Sequence, residues 1–270
     1  ILPPAQLTCT NLLVVLDGSN SSTGPNYSYQ WTTTNGNILG GQGTLFATVS
    51  QAGSYTLSVT DLSNQCVGQS TVTVIQNTNP PIAEAGSGLA ITCIEPVATL
   101  GGPSTSTGPN FTYQWTTTNG NIVAGTNSPN AQVDQPGNYT LIVTDQTNGC
   151  TALSSTVVGI DQNPPLAVTA DATLTCAQPL LQLSGLGSSG GPGISYQWTT
   201  ANGNIVTGAN TLTPTVSSAG SYILTVTNAQ NGCSATSTAE VAQDTPLPTV
   251  VVAGGELSCA VSDLVLDGNG

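Results

Sequence analysis

The 270-residue chain contains no lysine, arginine or histidine and carries a formal charge of −13. A basic patch is the electrostatic footprint of nucleic-acid binding and of binding to anionic lipid, so neither partner is expected. The same absence excludes Ser-His-Asp and Cys-His catalysis.

Charged residues make up 5 % of the chain and hydrophobic ones 38 %. The surface must therefore be built from Thr, Ser, Asn, Gln and Gly, with no side-chain salt bridge available. Stability has to come from apolar burial, backbone pairing and covalent bonds. No apolar run reaches the ~18 residues of a membrane span, so no membrane insertion is expected.

The predicted elements follow a repeat. Tyr-Gln-Trp-Thr-Thr occurs at 29–33, 113–117 and 196–200, and cysteines stand at 9, 66, 93, 150, 176, 233 and 259. The first cysteine of each pair recurs at 93−9 = 84, 176−93 = 83 and 259−176 = 83. Three repeats of the size of a small sandwich domain are expected, over 1–80, 81–164 and 165–246. Residues 247–270 read as the start of a fourth, and the chain reads as an excerpt from a longer protein. Proline pairs at 3–4, 80–81 and 164–165, then Pro246 and Pro248, give stiff, extended connectors.

In the first repeat, Ala5 to Cys9 is a candidate strand, followed by Leu12 to Asp17 and then Tyr27 to Thr33 around Trp31. Asn35-Gly36 is a hairpin signal, because both central positions of that turn tolerate positive φ. Thr44 to Val49, Ser54 to Asp61 and Val67 to Ile75 complete the set. Six or seven short strands without helical period indicate all-β, tandem immunoglobulin-like sandwiches of about seven strands each, arranged as an elongated rod.

Trp31, Trp115 and Trp198 each follow the first cysteine at the same spacing (31−9 = 115−93 = 198−176 = 22), on an alternating strand. They are expected in the core rather than as stacking platforms for a ligand. Tyr55, Tyr139 and Tyr222, in Gly-x-Tyr-x-Leu/Ile-x-Val patterns, are expected at the core's edge.

Regular cysteine pairs without histidine point to disulfides rather than zinc, and so to an oxidising, extracellular location. Within each repeat the two cysteines lie 57 apart (66−9, 150−93, 233−176). One register pairs Cys9–Cys66, Cys93–Cys150 and Cys176–Cys233, leaving the partner of Cys259 beyond the excerpt. Another pairs Cys66–Cys93, Cys150–Cys176 and Cys233–Cys259 across repeats. The first is favoured because each repeat must fold as it emerges. Its loops would each contribute about 4 kcal/mol in the chain-entropy model.

The Tyr-x-Trp strand followed by Gly53-Ser54-Tyr55-Thr56-Leu57-Ser58-Val59-Thr60 resembles polycystic-kidney-disease (PKD) type and related immunoglobulin-like repeats. Residues 137–144 and 220–227 repeat the second signature. Composition and the cysteine pair are similar to repeats of giant, type IX-secreted surface adhesins and filament proteins of Bacteroidota. That resemblance implies cell adhesion through a secreted surface appendage. The usual Trp-Asp-Phe-Gly-Asp-Gly continuation is replaced by Trp31-Thr32-Thr33-Thr34-Asn35-Gly36, so no acidic ligand set is carried over. The second cysteine comes well after the tyrosine (66−55 = 11), which places the expected staple at the sandwich edge.

No catalytic constellation is expected. Asp17, Asp61, Glu84, Glu95, Asp134 and Asp145 are scattered single acids, whereas an acid pair needs a defined separation. No cofactor is required, but calcium at domain junctions is considered, from Asp161 with Asp171 and from Asp244 with Glu256. The first junction offers Gln76 and Glu84. The leading functional expectation is a structural spacer of a very large extracellular adhesin or filament, its partners being neighbouring repeats of the same chain. An alternative is lateral self-association into a homo-oligomeric, multi-chain filament. A third reading is direct glycan or ice binding by polar faces such as the Thr32-Thr33-Thr34 run.

Overall fold

The computed structural model describes residues 1–244. The expected start of the fourth repeat, with Glu256 and Cys259, lies outside the described residues.

Alternation of apolar residues with Thr and Ser gives each strand one face for a core and one for water. The first repeat comprises β1 (Leu7–Thr8), β2 (Val14–Asp17), β3 (Tyr27–Thr33), β4 (Ile38–Gly40), β5 (Phe46–Val49), β6 (Gly53–Asp61), β7 (Val67–Val74) and β8 (Gln76–Asn77). One sheet has the order β2-β5-β4 and the other β3-β6-β7. The short first strand joins the end of the last one: β1 pairs β8 in parallel, Leu7 opposite Gln76 and Thr8 opposite Asn77.

The second repeat comprises β9 (Leu89–Thr92), β10 (Ala98–Leu100), β11 (Phe111–Thr117), β12 (Ile122–Ala124), β13 (Ala131–Val133), β14 (Gly137–Asp145) and β15 (Thr151–Asp161). Its sheets run β10-β13-β12 and β11-β14-β15-β9. The third comprises β16 (Ala172–Thr175), β17 (Leu181–Gln182), β18 (Ile194–Thr200), β19 (Ile205–Thr207), β20 (Thr215–Val216), β21 (Gly220–Asn228) and β22 (Ser234–Asp244). Its sheets run β17-β20-β19 and β18-β21-β22-β16, with β16 parallel to β22. This two-sheet order is that of an immunoglobulin-like sandwich. The protein is all-β, a tandem array of such sandwiches.

Each repeat has its own core. Leu16, Trp31, Val49, Tyr55 and Leu57 are buried together in the first. Leu100, Trp115, Val133, Tyr139 and Leu141 are buried in the second, and Trp198, Val216, Tyr222, Leu224 and Val226 in the third. The indole nitrogens are satisfied in the same way each time. Trp31 donates to Thr44 O at 3.0 Å, Trp115 to Ser128 O at 3.1 Å and Trp198 to Thr211 O at 3.0 Å.

The tyrosines lie deeper than the core's edge. Tyr55, Tyr139 and Tyr222 are each 0 % exposed. The Tyr55 hydroxyl donates to Gln51 O at 2.6 Å and accepts from Asn37 N at 3.0 Å. Reaching back to Gln51, it locks the corner between β5 and β6, and its hydrogen bonds offset the cost of burying the hydroxyl.

The Asn35-Gly36 hairpin is corrected. β3 pairs with β6, and β4 pairs with β5 of the other sheet, so the turn carries the chain between sheets. Gly36 is absent from the positive-φ glycines. Glycine is needed for space instead: a Cβ there would collide with the Tyr55 hydroxyl, and the same holds for Gly120 with Tyr139 and Gly203 with Tyr222. Asn35 Oδ1 accepts from Ser54 N at 2.9 Å, stitching the turn to β6. Sequence reading also missed β4, a short strand whose register shifts between Ile38 and Gly40.

The chain divides into two compact units. Ile1–Ile91 and Glu95–Ile160 form the first, while Thr92–Ile94 belong with the described residues from Asp161 onward. The short piece after the core of β9 is thus claimed by the unit of the following repeat.

Candidate functional site at the disulfide junctions

The cysteines pair in neither expected register. Cys9 is bonded to Cys150, with Cα atoms 5.0 Å apart. Cys93 is bonded to Cys233, with Cα atoms 5.1 Å apart. Cys66 and Cys176 are exposed free thiols. The first cysteine of one repeat joins the second cysteine of the next, over sequence separations of 141 and 140.

Strand direction explains the correction. Because β1 runs parallel to β8, Thr8 stands opposite Asn77 and delivers Cys9 to the C-terminal end of the last strand. Cys66 precedes the other end of that strand (77−66 = 11), about 36 Å away along extended chain. No disulfide spans that distance. The third repeat repeats the geometry: Thr175 is opposite Asp244, and Cys233 lies equally far back (244−233 = 11). The loop supplying the second cysteine sits at the opposite end of the sandwich, and in the second and third repeats it meets the first cysteine of the preceding one.

In the first unit this loop joins β14 to β15. Asp145 N donates to Cys150 O at 2.9 Å and Gly149 N to Asp145 O at 2.7 Å, closing a tight turn. Gly149 has φ +67° at its apex. Cys9 N donates to Asn148 O at 3.1 Å, so the chain after β1 is hydrogen-bonded to the loop as well as bridged to it. The Asn148 side chain is 2 % exposed. Its Nδ2 donates to Asn77 Oδ1 at 3.1 Å and Asn79 O at 3.0 Å, and its Oδ1 accepts from Cys150 N at 2.9 Å.

The second unit has the same arrangement. Cys93 N donates to Asn231 O at 2.9 Å. The buried Asn231 donates to Asp161 Oδ1 at 2.9 Å and Asn163 O at 3.1 Å, and accepts from Cys233 N at 3.0 Å. Gly232 has φ +69°. A Cβ on Gly149 would overlap Thr10, and one on Gly232 would overlap Ile94. These glycines meet two demands at once, a left-handed backbone and close approach of the next segment.

The first repeat's own loop is exposed over residues 62–66 and its Cys66 is unbonded. Asn64 accepts from Cys66 N at 2.9 Å but is exposed, and Gln65 occupies the left-handed position with φ 61°. Sequence reading passed over Asn148, Gly149, Asn231 and Gly232. Their signal was present as the repeated Asn-Gly-Cys at 148–150 and 231–233.

The acids considered for calcium have protein partners. Asp161 accepts from Asn231, Asp171 Oδ1 accepts from Glu240 N at 2.9 Å, and Glu84 Oε2 accepts from Ser104 N at 2.8 Å. Among the described residues, no three Asp, Glu, Cys or His side chains come together. The threonine run is partly structural. Thr33 Oγ1 donates to Ser54 O at 2.8 Å and accepts from Gly36 N at 2.9 Å, as Thr117 and Thr200 do in their repeats. Asp61 carries a carboxyl held below its ordinary pKa, chiefly by the Ser63 hydroxyl and then by the Ser63 N–H. Asp17 is lowered by Ser19 in the same way. Both are half-buried carboxylates at strand ends, where they hold the backbone of the following turn.

No family model and no curated protein matches this chain. Among solved structures, it is similar to the I67–I69 fragment of titin, at 14 % identity over 90 % of this chain and 97 % of that one, with a TM-score of 0.38. It is also similar to three N-terminal domains of the bacteriophage RB49 Highly Immunogenic Outer Capsid protein, at 14 % identity over 88 % and 95 %, TM-score 0.37. A third is Drosophila N-cadherin EC1-4, at 10 % identity over 89 % and 71 %, TM-score 0.30.

Proposed function

We propose that these repeats are the spacer of an extracellular adhesin or filament, supplying reach while target recognition resides elsewhere. The observation that carries the reading is the bonding of neighbouring repeats, Cys9 to Cys150 and Cys93 to Cys233, through the same Asn-Gly-Cys loop. A protein that only needed stable sandwiches would gain as much from bonds inside each one. Bonds between repeats restrain the joints. Disulfides also suit an oxidising location outside the cell. The finer reading, a repeat segment of a giant exported surface protein of Bacteroidota, is supported by the resemblance of the Trp31 and Tyr55 signatures to such repeats. The calcium reading has little support, since Asp161, Asp171 and Glu84 are engaged by protein donors.

Beads coated with the oxidised 270-residue chain and presented to cells and to a glycan array test the spacer reading. The expected result is no saturable binding. Saturable, competable binding to any glycan would overturn it. Lateral self-association is favoured by one observation, the exposed Leu153, Val157 and Ile160 along β15. Sedimentation equilibrium decides it: a monomer across the concentration range rejects self-association by these repeats.

A further inference from the structure

We propose that the two crossed disulfides turn the three repeats into one load-bearing unit, in which tension between the chain's ends is shared by three backbone segments in parallel. The inference follows from covalent connectivity and holds whether or not the chain serves as a spacer. Cys9–Cys150 forms one node and Cys93–Cys233 a second. Cys93 lies inside the loop closed by the first bond, and Cys150 inside the loop closed by the second. Three stretches therefore connect the same two nodes, with sequence lengths of 93−9 = 84, 150−93 = 57 and 233−150 = 83. They carry Trp31, Trp115 and Trp198 respectively, and so the bulk of one sandwich core each.

The nodes separate only if every stretch lengthens, so all three cores must yield together. The shortest stretch, between Cys93 and Cys150, sets the limit. Fully extended, it reaches about 200 Å. It is followed in reverse, from Cys150 back to Cys93. Without the bonds the repeats lie in series, and the whole chain between the outer cysteines (233−9 = 224) reaches about 770 Å. The crossed bonds cut the available extension roughly fourfold and replace separate yielding by shared resistance.

Stretching the oxidised 270-residue chain in optical tweezers, held by tags at its two termini, tests this. The expected record is a single unfolding event, with the contour between Cys9 and Cys233 capped by the Cys93-to-Cys150 stretch. With reductant present from the start, three events are expected, and the contour is that of the whole chain from Cys9 to Cys233. Cys66→Ser/Cys176→Ser removes only unbonded thiols and should leave the oxidised record unchanged. Cys9→Ser/Cys150→Ser leaves one bond, and the cap then passes to the longer stretch from Cys9 to Cys93 (84 against 57). Three separate events in the oxidised wild-type chain would overturn the proposal. So would a cap that grows in Cys66→Ser/Cys176→Ser, the result of bonds inside each repeat.

Discussion

Cys9 is bonded to Cys150 of the following repeat, while Cys66, the second cysteine of its own repeat, stands free at the far end of β7. The bond spans a sequence separation of 141, worth about 5 kcal/mol in the chain-entropy model. It also holds the loop after β14 against the chain leaving β1, so covalent and hydrogen-bonded contacts at the junction reinforce each other.

Cys9→Ser/Cys150→Ser is therefore expected to destabilise the first two repeats by up to about 5 kcal/mol, read as a lower midpoint in guanidinium denaturation. Cys66→Ser, at an exposed unbonded thiol, should change the stability by no more than about 0.5 kcal/mol. Equal effects of the two variants would contradict the pairing.

Gly149→Ala should cost more than the ~1 kcal/mol of a left-handed non-glycine residue, because its Cβ also meets Thr10. Gln65 holds the same backbone conformation at an exposed position. Gln65→Gly should accordingly stabilise the first repeat by about 1 kcal/mol. Thermal melting of the two variants reads opposite signs at equivalent positions.

Asn148→Ala removes the acceptor for Cys150 N and the donor to Asn79 O within a buried junction. The expected cost is about 2 kcal/mol. Asn64→Ala, at the exposed equivalent, should cost well under half of that, since water replaces the lost partner. Urea denaturation of both variants checks the difference.

Tyr55→Phe keeps the ring in the core and deletes only the hydroxyl, leaving Gln51 O and Asn37 N without their partner. A loss of about 1–2 kcal/mol is expected, with no change in strand content by circular dichroism.

The lowered pKa of Asp61 sets a pH dependence. A carboxylate depressed in the folded state contributes stability above its unfolded pKa and loses it as pH falls through the folded value. Melting temperature should therefore decline on acidification below the ordinary aspartate range. Asp61→Asn should flatten part of that decline while keeping the turn. Asn228 already makes the equivalent bond in the third repeat, accepting from Gln230 N at 3.0 Å. An unchanged acid profile in Asp61→Asn would refute the assignment.

The repeat period, most of the strands and the Trp31 and Tyr55 patterns were legible in the sequence because each is a local signal, written in alternation and spacing; the three-residue β4 was too short to show one. The cysteine register was not. It depends on β1 running parallel to β8, a short pairing that no periodicity announces. The Asn35-Gly36 dipeptide misled for a related reason. Its glycine answers to the ring of Tyr55, distant in sequence, and not to the turn it sits in. Gly149 and Gly232 were the one readable trace of the junctions, since each combines a left-handed backbone with the close approach of Thr10 or Ile94.

The parallel pairing of β1 with β8 also keeps one thiol from another. Cys9 is made first, and Cys66 and Cys93 both follow before its partner Cys150 exists. Folding of the first sandwich carries Cys66 to the end away from Cys9, withdrawing the nearest wrong thiol from reach. The first two repeats are each stapled by their successor, and the strand direction that decides where the bond lies also keeps the nearest wrong thiol away from it.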